Sequence, residues 1–127
     1  MNNNNIIRER AKRMLMEFAS TEYQSKEWSM EKTWYFPSEF TARWFDDTFF
    51  GLDKLIEMGD LNKEEWRIIE PFHNFFSSHV KDICQDKFEN DPALLLSYGL
   101  WHEIQIKAKE TLDKLNQMGW DKIKIEW

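Results

Sequence analysis

From Ile6 to about Glu22 the apolar residues Ile7, Ala11, Met14, Leu15 and Phe18 recur at steps of three and four, the spacing of one helical face. This predicts a first helix. Residues 1–5, which include four consecutive asparagines, are expected to be disordered. Residues 20–36 show neither a helical nor a strand period. They read as a long connection pinned by Tyr23, Trp28, Met30 and Trp34.

Pro37 and Ser38 are start signals for a second helix, and Gly59 is a stop. Advancing about 100° per residue gathers Phe40, Trp44, Phe45, Thr48, Phe49, Leu52, Leu55 and Ile56 on one broad side. The carboxylates Asp46, Asp47, Asp53 and Glu57 fall on the other. Phe50 breaks the pattern, because it projects into the acidic side. Asn62 followed three residues on by Glu65 resembles a capping box and opens a third helix, expected to reach about Glu89 with a kink at Pro71. Its core face is Ile68, Ile69, Phe72, Phe76, Val80 and Ile83, and here Phe75 is the misplaced ring, beside Ser78 and Asp82. Asp91 with Pro92 opens a fourth helix that Gly119 closes. Trp44, Trp66 and Trp101 fall on predicted core faces. The tail alternates Ile123, Ile125 and Trp127 with charged residues, a period of two that predicts a short pairing of about 122–126 with 32–36.

The pattern therefore gives a mainly α fold: a single helical domain over 1–127, built as a four-helix bundle-like array with a kinked third helix. A chain of 127 residues is long enough to bury a core of its own. Its lone Cys84 excludes an internal disulfide and fits a reducing, cytoplasmic setting. No apolar run approaches the roughly 18 residues of a membrane span, so no membrane partner is expected.

Net charge is −6, which repels nucleic acid and favours a basic partner. The charge is uneven: residues 1–19 carry Arg8, Arg10, Lys12 and Arg13 against Glu9 and Glu17, so the acidic excess lies outside the first helix. Exposed rings bordered by carboxylates suit docking, with rings as desolvated anchors and acids as steering groups. On that ground Phe50, Asp46, Asp47, Asp53 and Glu57, with Phe75 as a second anchor, are the candidate partner-binding residues.

Catalytic chemistry has little to work with. Glu70 and His73 have the Glu-x-x-His spacing of di-iron bundles, but the second such pair those sites need is missing. With four glycines and no phosphate-loop or nucleophile motif, neither a cofactor nor a metal is expected. The stretch "RIIEPFH" places Arg67 and His73 at an Arg-x5-His spacing that resembles the motif of the HEPN superfamily of helical RNases, in which an arginine and a histidine cooperate at a dimer interface. The resemblance covers seven residues, with Ile68 where that family usually has a polar residue and Pro71 inside the helix that presents the pair. It implies an RNase-like alternative with Arg67 and His73 as catalytic residues.

Three functional expectations follow. The leading one is a small acidic intracellular binding protein that acts by stoichiometric occlusion of a macromolecular partner, such as an immunity protein neutralising a cognate toxin. The alternatives are the RNase and a structural subunit of a larger assembly, including a homo-oligomer formed through the same acidic face.

Overall fold

A computed structural model of the chain describes residues 5–20, 38, 41–49 and 51–125. It is mainly α-helical, with no strand among the described residues. Helix α1 spans Asn5–Ala19, followed by a π-helical segment over Arg43–Thr48 and a short α2 over Leu52–Glu57. Then come α3 (Lys63–Ser78), α4 (Val80–Ile83), α5 (Asp86–Asn90), α6 (Pro92–Leu96), α7 (Gly99–Gln117) and a 3-10 turn over Trp120–Lys122. The most extensive contact is α1 against α7, and α3 against α7 comes next.

The core forms where the helical faces converge. Ala11, Met14, Leu15 and Phe18 of α1 meet Ile69, Phe72 and Phe76 of α3 and Trp101, Ile104, Ala108 and Leu115 of α7, all buried. Phe18 lies at the centre, its ring 5.0–5.8 Å from those of Trp44, Phe72, Phe76 and Trp101. Most of these are edge-on contacts, the geometry that ring quadrupoles favour. Most of the expected core face of α1 and of α3 is thus buried, with Ile7 and Ile68 half-buried at their edges. Trp44 and Trp101 are fully enclosed and Trp66 is half-buried.

The helix ends follow their local chemistry. Asn62 Oδ1 accepts from the Glu65 backbone N–H at 2.8 Å, while Glu65 Oε1 accepts from the Asn62 N–H at 2.8 Å, a complete capping box. Gly59 and Gly119, at φ 81° and 114°, end α2 and α7 in the left-handed region that glycine adopts without a Cβ clash.

The described helices are shorter than the pattern predicts. The rod expected from Ser38 to Met58 is broken at Gly51, whose φ of 69° cannot continue a right-handed helix. The third helix runs through Pro71 without interruption. Pro71 is exposed, so water can take the carbonyl its ring leaves without a donor. The break falls instead at His79: Ser78 Oγ donates to the Phe75 carbonyl at 2.8 Å and the His79 ring bonds Asp82 at 3.0 Å, local bonds that compete with the helical ladder. The fourth helix is likewise divided at Ser97 and Tyr98.

The tail is a correction to the alternating pattern. Trp120–Lys122 forms a 3-10 turn, and Lys12 Nζ donates to the carbonyls of Trp120 at 2.7 Å and Ile123 at 2.5 Å. A buried ammonium takes those two carbonyls. The proposed partner stretch, 32–36, lies outside the described residues.

Candidate functional site

The π segment and α2 carry most of the sequence-predicted partner-binding residues. In the π segment the Phe49 N–H bonds the Trp44 carbonyl, five residues back, at 3.1 Å. The widened turn stacks residues five apart, and the Trp44 and Phe49 rings lie 4.6 Å from each other. Thr48 Oγ1 donates to the Arg43 carbonyl at 2.9 Å and closes the turn with a side chain. Such segments are rare and concentrate at functional positions.

His73 of α3 is the residue that holds this segment. Trp44 Nε1 donates to His73 Nδ1 at 3.1 Å, and the imidazole is half-buried among Phe45, Trp66, Phe49 and Trp44, whose centroids lie 5.0, 5.1, 5.9 and 6.4 Å away. An indole N–H only donates, so Nδ1 is the acceptor and the neutral ring carries its hydrogen on Nε2. Burial pushes the His73 pKa below its usual value, against the opposing charge of Glu70 one turn away. Glu70 itself accepts from Trp66 Nε1 at 3.2 Å.

Arg67 has a different environment. Its side chain is 76% exposed, with Nη1 3.6 Å from Glu64 Oε1 across one helical turn. The HEPN-like pair is thus divided between a solvent-facing guanidinium and an imidazole whose Nδ1 is committed to a tryptophan. Nothing in this placement aims the two groups at a common reacting atom.

The acidic residues reach solvent. Asp53 and Glu57, four apart, occupy one face of α2 and are both exposed. α2 contains no buried residue and is held by the partial burial of Leu52 and Leu55. Immediately after it Met58 is 62% exposed, the most exposed large apolar side chain among the described residues. Asp46 is also exposed, at a cavity of about 520 Å³ lined by Arg10, Arg13, Met14, Arg43 and Thr48. Its surroundings are mixed in charge.

Phe50 and the Asp47 side chain lie outside the described residues. Phe75 is half-buried against the core. The His79 ring is 4.7 Å from its centroid and Lys107 Nζ stands 4.8 Å from it, so the chain's own groups flank this ring. Met58 and the Trp44–His73 contact are absent from the sequence reading. Met58 ends the predicted α-helical rod beside Gly59, where the periodicity assigns no face. His73 sits at the edge of the α3 core stripe, and only the position of Trp44 reveals its partner.

No group of three or more metal-ligating side chains occurs among the described residues, and no described helix is long and apolar enough to cross a membrane. Comparisons of the chain with protein families, with curated proteins and with solved structures gave no match.

Proposed function

We propose that the chain is a small acidic binding protein that docks a basic protein partner through α2 and its flanks and blocks that partner stoichiometrically, as an immunity protein neutralises a toxin. The observation that carries this reading is the composition of α2. It exposes Asp53 and Glu57 on one face, is followed by the exposed Met58, and buries no residue completely. Carboxylates around an apolar anchor accelerate encounter with a basic surface and then exclude water from the contact. Asp46, exposed in the preceding π segment, is part of the same proposal; Phe50 and the Asp47 side chain lie outside the described residues. The free Cys84 fits a cytoplasmic setting for this activity.

The test is capture from native cells with the wild-type chain and with Asp53→Lys/Glu57→Lys/Met58→Asp, followed by reconstitution of the captured protein in purified form. The expected result is a 1:1 complex in native mass spectrometry, weakened by salt and lost in the variant, whose circular dichroism stays unchanged. Equal binding by the variant overturns the reading.

A further inference from the structure

We propose that the Trp44–His73 contact is an acid-released latch that fixes the π-helical segment to α3. Three observations meet there. The Trp44 side chain is fully buried, so its indole N–H has no water to turn to, and its recorded acceptor is His73 Nδ1 at 3.1 Å. The segment it belongs to is π-helical, with Phe49 bonding five residues back to the Trp44 carbonyl, so the position of Trp44 sets the register of the whole turn. And the described groups around the imidazole are almost all uncharged.

From the π segment it meets Trp44 and Phe45, from the following bend Phe49, and from its own helix Trp66. Among the described residues, the charged neighbour whose field reaches it is Glu70 on α3. Of the other charged residues of the π segment, Arg43 contacts Glu17 at 3.4 Å and Asp46 is exposed at the arginine-lined cavity; the Asp47 side chain lies outside the described residues. A second proton on the ring must go to Nδ1, because Nε2 already carries one. That proton faces the Trp44 N–H, and two donors then point at each other in a site walled by rings. A buried donor left without an acceptor is costly, so the protonated ring and the indole separate.

The consequence is a local opening. Loss of the contact frees Trp44 to move and takes the Phe49-to-Trp44 bond with it, loosening the turn that carries Asp46 and leads through Gly51 into α2. Its bearing on docking rests on the function proposed above; the latch itself does not.

The experiment follows the Trp44 indole N–H resonance, assigned with Trp44→Phe, together with the His73 Cε1–H resonance from pH 7.5 to 5.0. His73→Asn places an acceptor oxygen near the Nδ1 position and does not titrate. In the wild type the two resonances are expected to move together with a midpoint below 6.5, and the Phe49 amide to exchange about tenfold faster on the acid side, the effect of one lost hydrogen bond. In His73→Asn the indole resonance stays fixed across the range. A Trp44 resonance that does not move while the His73 ring titrates overturns the proposal, and this needs no variant at position 73. So does an identical transition in His73→Asn. Neither readout involves a partner, so a negative result here is distinct from a failure of the docking reading.

Discussion

Arg8 and Glu65 are joined by two parallel hydrogen bonds, Nε to Oε2 and Nη2 to Oε1, each 2.7 Å long. Glu65 is 4% exposed and also accepts from the Asn62 backbone and from Trp120 Nε1, the latter at 2.6 Å. One carboxylate thereby ties α1, the start of α3 and the C-terminal turn together. A buried carboxylate is tolerable only when its lone pairs are satisfied, and here Arg8 supplies charge as well as geometry. Glu65→Gln keeps the shape but removes the charge and presents an amide N–H₂ to donors. We expect it to cost about 1.5–3 kcal/mol, the range for hydrogen bonds to a charged group, measured as a shift in urea midpoint at pH 7. Trp120→Phe, which deletes one donor to this charged group, is expected to cost about 1.5–3 kcal/mol by the same measurement.

The same carboxylate sets an acid limit. Desolvation pushes the Glu65 pKa up, but the bonds from Arg8, the Asn62 backbone and Trp120, with the Arg8 charge, outweigh it and hold the group below its usual 4.5. With a folded-state pKa below the unfolded one, the unfolded chain takes up the proton first. The stabilisation is therefore fully present above pH 4.5 and is lost as pH falls through the lower folded value. Wild-type stability is expected to decline below pH 4.5 more steeply than that of Glu65→Gln, so that the gap between them narrows toward pH 3. A constant gap from pH 7 to 3 contradicts this.

How far the sequence discloses such features depends on whether the signal is periodic. The core face that α3 and α4 share was legible because Ile69, Phe72 and Phe76 of α3 and Ile83 of α4 repeat at helical spacing, and the α3 cap because Asn62 and Glu65 stand three apart. Lys12 and Glu17 were not, since both are charged residues whose burial depends on groups far along the chain: the Trp120 and Ile123 carbonyls for one, Arg43 for the other. Nor was the break at Gly51, because the apolar stripe of residues 44–56 continues across it without losing phase. The exposed Asp53 and Glu57 of the candidate site followed from amphipathicity. The Trp44–His73 contact did not, since it joins residues 29 apart that no local pattern relates.

Lys12 is expected to matter through the tail. Lys12 is buried at 8% exposure, and its ammonium bonds two carbonyls of the last turn. Lys12→Met preserves the aliphatic stem, leaves the Ile123 carbonyl short of a donor and leaves the Trp120 carbonyl with the Ile123 N–H alone. The expected outcome is a loss of about 2–3 kcal/mol, with faster hydrogen exchange over residues 119–123. Changed exchange confined to α1 would show that the residue acts on its own helix and not on the tail.

Gly99 and Gly119 separate backbone strain from crowding. A Cβ added at either meets nothing within 4 Å, so space does not distinguish them. Only the backbone does: Gly119 has φ 114°, in the region L side chains avoid, whereas Gly99 lies in the first turn of α7 with no such restriction. Gly119→Ala must hold a strained conformation or shift the turn, at a cost of about 1–2 kcal/mol. Gly99→Ala suits the helix and restricts the unfolded chain, a gain of about 0.4–1 kcal/mol. The two substitutions add the same methyl group and are expected to move the urea midpoint in opposite directions. Equal shifts would mean that the Gly119 turn relaxes, and that Lys12 rather than the glycine fixes the course of the C-terminal segment.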